Sequence, residues 1–89
     1  MIQFGIVDDT FRLDRIGVVV VARKADRSLE VSIGETLILV RPDESEAEVR
    51  IRGIEMTRPF NPDLEGLLFD ELGPADVPAG TVLYKRLDS

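Results

Sequence analysis

Apolar residues fall along this chain in short runs of two kinds. In one kind they alternate with polar neighbours: Ile2, Phe4 and Ile6 interleave with Gln3, Gly5 and Val7, and Phe11 and Leu13 with Arg12 and Asp14. A period of two is the mark of a strand that turns one face inward. The acidic stretch Asp8-Asp9-Thr10 lies between these two alternations, so one strand bent at the acidic pair is expected. In the other kind the apolar residues are consecutive. Ile16-Gly17-Val18-Val19-Val20-Val21-Ala22-Arg23 is the longest such run. Its branched side chains are stiff at χ1 and disfavour helix, and the lack of polar alternation predicts a strand buried on both faces. Asp14 to Gly17 then reads as the turn of a hairpin, with Gly17 free to take a positive φ.

Further on, Leu29, Val31 and Ile33 alternate in a short extended segment before Gly34, and Glu35 to Val40 is a second run apolar on both faces, stopped by Arg41-Pro42. Ala47, Val49 and Ile51 share a face against Glu46, Glu48, Arg50 and Arg52, but beyond Gly53 the apolar phase jumps to Ile54 and Met56. A slip of one residue centred on glycine predicts a β-bulge that turns a corner. Two prolines fix the loop from Arg58 to Asp63, Leu64 to Phe69 makes another strand, and Gly73 to Gly80 has turn chemistry with room for one helical turn at most. Thr81 to Lys85 is the final strand. Six or seven short strands at hairpin spacing, with no amphipathic helix of useful length, predict one all-β domain over 1–89, a barrel or a sandwich.

Composition narrows the chemistry. The 89 residues suit a single core, and 44% hydrophobic with 31% charged residues is globular usage. The sequence has no Cys and no His, which removes thiolate chemistry, disulfides, the commonest general base and the commonest transition-metal ligand. Net charge is -6, which repels phosphate backbones unless the cations gather on one face. No charged-then-apolar leader precedes Ile2 and no run approaches the ~20 apolar residues of a bilayer span, so a soluble cytoplasmic protein without membrane contact is the expectation. Asp43 to Glu48 is acidic but lacks the spacing of a calcium loop.

Four stretches, in order and covering nearly the whole chain, resemble one family: the second, β-barrel domain of elongation factor Tu and related translational GTPases. Phe11 to Arg23, read as F-x-L-x-x-x-G-V-V-V-V-A-R, is similar to that domain's first hairpin. Ile33-Gly34-Glu35-Thr36-Leu37 resembles its turn into the next strand, and Gly53-Ile54-Glu55-Met56 with Arg58 resembles its G-[IV]-E-M-x-R segment. Gly66 to Phe69 and Asp76 to Leu83 resemble its close. The resemblance implies a small closed antiparallel barrel of six or seven strands. Gly17, Gly34, Gly53 and Gly80 would then stand at turns and bulges, with Val18 to Val21, Leu37, Leu39, Leu67, Leu68, Val82 and Leu83 inside.

In that family the barrel helps hold the 3′ aminoacyl end of charged tRNA. Carried over by position, the resemblance makes Asp8, Asp9, Phe11, Glu55 and Arg58 the candidate binding residues. Val21 replaces a family threonine, Asp70-Glu71 replaces Arg-Gly, and the stretch between Met56 and Gly66 is shorter, without the family's asparagine-bearing loop. The sequence contains no G-x-x-x-x-G-K-[ST], so GTP is not expected to bind, and no cofactor or metal is implied. Each candidate also has a plain reading: Asp8 and Asp9 as a turn-capping or solvated pair, Glu55 as the partner of a nearby Arg, and Arg50 and Arg52 with Glu46 and Glu48 as a charged edge strand. The leading expectation is a non-catalytic module that binds a protein. An RNA-binding domain that accepts a tRNA 3′ end is the second, and a decoy or immunity-type mimic of the elongation factor is the third.

Overall fold

The computed structural model describes residues 1–86. Seven strands form one antiparallel sheet: β1 (Ile2–Leu13), β2 (Gly17–Lys24), β3 (Thr36–Val40), β4 (Glu46–Arg50), β5 (Gly53–Glu55), β6 (Leu64–Phe69) and β7 (Val82–Lys85), in the order β4-β3-β7-β1-β2-β6-β5. The single helical element among the described residues is a 3-10 turn over Pro74–Asp76, the one turn that the glycines and prolines around it leave room for. Among the described residues no helix is long and apolar enough to cross a membrane.

β1 is the spine of the sheet because it pairs with β7 through its first half and with β2 through most of its length. Twelve residues cannot serve two neighbours in one plane without bending, and two register shifts supply the bend, one between Gln3 and Gly5 and one between Val7 and Asp9. The second makes Asp8 the extra residue, which is the bend expected at the acidic pair. The first explains why Phe4 and Gly5 are both buried although they are consecutive.

The valine strand differs from expectation in an instructive way. Val18, Val20 and Ala22 are buried, but Val19 and Val21 are only half-buried. β3 repeats this, with Leu37 and Leu39 buried while Ile38 and Val40 are half-buried. A sheet covered on one face only buries alternate residues, whatever the chemistry of those between. The continuous apolar runs thus hide an ordinary two-faced alternation, and Val19, Val21, Leu68 and Val82 lie outside the interior. The interior instead recruits Phe4, Val7, Phe69 and Val77 beside Leu37, Leu39, Ile51, Leu67 and Leu83. Leu29 to Ile33 forms no ladder strand, and Ile33 lies exposed in a turn.

The end of the interior near the 3-10 turn is closed by the Gly73 to Gly80 strap. Its Val77 is fully buried, the Thr10 hydroxyl donates to the Val77 carbonyl at 2.9 Å, and Val7 N–H donates to Thr81 O while Gly80 N–H donates to Val7 O. Thr81 is the one buried polar residue among the described residues, and its hydroxyl is satisfied by Pro78 O at 2.7 Å.

Pairing leaves this sheet with two ends, β4 and β5, which share no ladder among the described residues, where a closed barrel was expected. The two end strands are successive parts of one run, separated only by Ile51-Arg52, so they cannot pair with each other. They meet the opposite ends of the remaining sheet in turn. Ile51 N–H donates to Glu35 O at 2.9 Å, continuing the β3 side, and the next amide, that of Arg52, donates to Leu68 O at 2.7 Å on β6. Gly53 pairs with that same Leu68, so two residues of one strand address one of the other, as in a bulge. This is the corner announced by the slip in apolar phase at Gly53.

Candidate functional site

The register places four outward residues in one cross-strand row. Asp9 on β1 stands opposite Val21 on β2, Val21 opposite Gly66 on β6, and Gly66 opposite Glu55 on β5. At a strand spacing of about 4.8 Å the row is roughly 14 Å long. The next row is Phe11, Val19, Leu68 and Gly53. The outer face is therefore apolar in its middle, with a carboxylate at each end of one row.

Gly66 is the low point of that floor. A Cβ built on it would lie 2.6 Å from the Glu55 carbonyl oxygen, so only glycine lets β5 and β6 approach this closely, and the missing side chain leaves a hollow over Val21. The loop from Met56 to Asp63 then folds over the hollow as a wall. It is held at its base by Asp63, whose carbonyl accepts Lys24 N–H at 2.8 Å and whose carboxylate receives both Nε (2.5 Å) and a terminal nitrogen (3.3 Å) of Arg27. This fork holds the Asp63 carboxyl below the usual carboxylate range and raises the Arg27 guanidinium. Asn61 turns the loop back on itself, its side chain accepting Asp63 N–H at 2.9 Å and its amide donating to the Thr57 hydroxyl at 3.2 Å. The Arg58–Pro59 peptide within the loop is cis.

Floor and wall enclose a groove of about 620 Å³ lined by Phe11, Val19, Val21, Leu64 and Gly66 from the sheet and by residues 55–62 from β5 and its loop. Most of the apolar lining is open to solvent: Phe11 is 51% exposed, Met56 72% and Phe60 69%. A smaller hollow of about 220 Å³ adjoins it, sharing Glu55, Met56, Thr57, Phe60 and Leu64 and adding Ile54 and Glu65.

Of the five residues singled out by the sequence, the structure brings three to this groove: Phe11, Glu55 and Arg58. Asp8 and Asp9 are not among its lining residues. Asp8, extruded by the bulge, forms a surface ion pair with Arg23 at 3.0 Å, and one carboxylate oxygen of Asp9 accepts the next amide, that of Thr10, at 2.8 Å. Asp9 thus acts as the capping reading has it, whereas the ion pair of Asp8 with Arg23 was not among the readings of the acidic couple. Glu55 was given an arginine as its plain partner, but among the described residues it forms no ion pair. Arg52 pairs with Asp70 at 3.4 Å, and Arg86 with Glu48.

The groove residues that sequence reasoning misplaced or missed are Val19 and Val21, both assigned to the interior although Val21 also stands at a pocket position of the resembled family, and Met56, Phe60 and Leu64. The signal for the first two was present: a strand apolar on both faces, in a domain too small for two cores, must present one apolar face to something else. A second depression of about 310 Å³ between the Asp14 to Gly17 turn and the segment from Asp70 to Pro74 is polar. Among the described residues no three acidic side chains converge as a metal site would require. The sequence matches no protein family and no curated protein.

Proposed function

We propose that this domain is a non-catalytic binding module, a barrel of the kind found as the second domain of elongation factor Tu, and that it binds a partner protein through the groove over Val21 and Gly66. The observation that carries the reading is the convergence of Phe11 on β1 with Glu55 and Arg58 from the distant stretch around β5 on one solvent-open apolar groove. Exposed aromatic and methionine side chains gathered around a pocket are what protein-binding surfaces present and what the rest of a soluble surface avoids. Closure of the barrel is supported by the run from Glu46 to Glu55, which addresses β3 with its first half and β6 with its second.

The test is affinity capture by the wild-type domain and by the Phe60→Ser and Met56→Ser variants, followed by reconstitution with the purified partner. A partner that binds wild type and loses about tenfold or more on either change, as expected for truncating a central apolar anchor, supports the reading. A partner bound equally by all three places the interface elsewhere.

A second reading has one observation in its favour: Phe11 and Glu55, two positions carried over from the tRNA-binding family, line the same groove. It predicts salt-dependent binding of a CCA-ended RNA that Glu55→Ala weakens. Asp9→Ala should leave any such binding unchanged, because Asp9 is not part of the groove lining.

A further inference from the structure

The smaller hollow beside the groove gives the partner a chemistry. Its only charged lining residues are Glu55 and Glu65. Glu65 stands opposite the buried Ala22, on the inward phase of β6, whereas Glu55 faces Gly66 on the outward phase, so the two residues line the hollow from opposite faces of the hairpin at the β5 edge of the sheet. The ion pairs among the described residues join Arg23 with Asp8, Arg27 with Asp63, Arg52 with Asp70, Lys85 with Glu35 and Arg86 with Glu48, and neither Glu55 nor Glu65 takes part. Arg58 lines the large groove but not the hollow. Met56 and Phe60 stand between the two spaces and are shared by both. An apolar cavity thus lies beside an anionic one, with an exposed phenyl ring in their common wall.

We infer that the occupant is an extended segment of a partner protein carrying one aromatic or large aliphatic side chain with a Lys or Arg two positions away, on the same face of the extended chain. The apolar side chain fills the groove over Val21 and Gly66. That cation enters the hollow, between the face of Phe60 and the two carboxylates, where ring and acid both favour it. An extended segment suits the dimensions. A floor row of roughly 14 Å takes about four residues of extended chain, whereas a helix about 10 Å wide needs a broader trough than one wall loop and one strand pair define. Charge complementarity also disfavours a second copy of this chain, since two bodies of net charge -6 repel. The inference rests on the groove being the binding surface and adds what the groove selects.

The experiment measures binding of three fluorescein-labelled heptapeptides to the whole domain by polarisation, each with Ser at the odd positions and named by its residues 2, 4 and 6: Lys-Phe-Lys, Gln-Phe-Gln and Lys-Ala-Lys. The expected result is that Lys-Phe-Lys binds about tenfold more tightly than either of the others. The advantage over Gln-Phe-Gln should vanish in the Glu55→Gln, Glu65→Gln double variant and shrink between about 0.05 M and about 0.5 M salt. The double variant changes neither side-chain volume nor backbone, and an unaltered urea midpoint confirms its fold. Equal binding of Lys-Phe-Lys and Gln-Phe-Gln, both lost in Phe60→Ser, overturns the inference and leaves the groove as the binding surface. An advantage that survives the double variant overturns it too, and so does binding of a CCA-ended RNA in place of all three peptides. Binding of none of the peptides also overturns it, and the reading beneath it then stands or falls on the capture experiment alone.

Discussion

Replacing Gly66 by alanine tests the construction of the groove floor directly. The added Cβ would lie 2.6 Å from the Glu55 carbonyl oxygen and 3.2 Å from the Glu55 Cβ, against an ordinary carbon–oxygen contact of about 3.3 Å. The obstruction is backbone, so no rotamer change relieves it. Something must move by roughly 0.7 Å, and the weaker partner is β5, a three-residue strand with a neighbour on one side only. Two bounds bracket the cost. Overpacking a close-fitted contact costs about 1–3 kcal/mol. Releasing β5 from its three ladder pairs costs a similar amount, at about 0.5–1.5 kcal/mol per hydrogen bond lost. Gly66→Ala should therefore destabilise by about 1–3 kcal/mol, which for a domain of this size lowers Tm by about 5–15 °C. Gly34→Ala is the internal control: its φ is +91° but a Cβ there meets nothing within 4 Å, so only the backbone penalty of about 1–2 kcal/mol applies and the groove is untouched. The assay is urea unfolding of both variants, with amide chemical shifts of residues 53–57 reporting on β5. A Gly66→Ala protein with the wild-type midpoint and unshifted β5 amides would refute the row of Asp9, Val21, Gly66 and Glu55, and the groove with it.

The alternation hidden in the valine strand predicts that Val20→Ala costs about 1.5–3 kcal/mol while Val19→Ala costs well under half of that, although the two residues are identical neighbours; equal losses in urea unfolding would mean that both faces are buried after all. Leu39→Ala, at a fully buried position, should cost about 2–5 kcal/mol and, at the upper end, leave much of the chain unfolded at 37 °C, as circular dichroism would register. If one strand bridges the two ends of the sheet, the amides of Ile51 and Arg52 exchange slowly with deuterium, as interior ladder amides do; exchange at the rate of an exposed loop rules out the bridge. Asp63 has a lowered pKa in the fold, so its ion pair with Arg27 stabilises above the unfolded carboxyl pKa of about 4 and ceases to do so as pH falls through the lower folded value. Asp63→Asn is therefore less stable than wild type near pH 7 and converges on it in acid, and urea midpoints that stay parallel from neutral to acid would contradict the assignment.

What the sequence made legible, and what it did not, divides along physical lines. Turns and corners were legible because they rest on local backbone chemistry: the Asp8 bulge, the reversal at Gly53, the stop at Arg41-Pro42 and the single helical turn near Pro74 each depend on residues within a few positions of one another. The facing of side chains was not, because it depends on what covers a strand. Val18 to Val21 and Thr36 to Val40 are composed like strands between two layers, yet each has a layer on one side only. Ile6 and Val77 were misplaced for a related reason. Phe4 is inward as its alternation with Ile2 and Ile6 predicts, but the bulge there shifts the phase, so Ile2 and Ile6 are exposed and Val7 is buried, and a strap with turn chemistry carries Val77 across the end of the core. Within the candidate site, the family resemblance pointed to Phe11, Glu55 and Arg58, whereas Phe60 was passed over because an apolar residue in a proline-fixed loop carries no periodic signal, and Met56 was read as marking the apolar phase beyond Gly53.

The missed residues and the misjudged strands have one common cause, and it bears on function. A one-layer domain of this length has apolar material left over once its interior is full: Val19, Val21, Leu64 and Leu68 on the sheet, and Phe11, Met56 and Phe60 around it. Single exposed apolar residues are ordinary, and if these were scattered they would need no explanation. They are gathered instead on the outer face of β1, β2 and β6, and the loop that walls them is pinned by a two-point ion pair rather than left free. Ordering that loop costs conformational entropy, while the side chains it displays, Met56 and Phe60, stay mostly exposed and recover little burial in return. Stability of the isolated domain therefore does not account for the arrangement, whereas the bound segment proposed above would. That difference is measurable without knowing the partner: Phe60→Ser should leave the urea midpoint of the free domain unchanged to within about 0.5 kcal/mol, as for a surface substitution, while abolishing whatever binding the groove supports. A large loss of intrinsic stability in Phe60→Ser would show that the loop belongs to the fold, and would remove the argument that it was built for a partner.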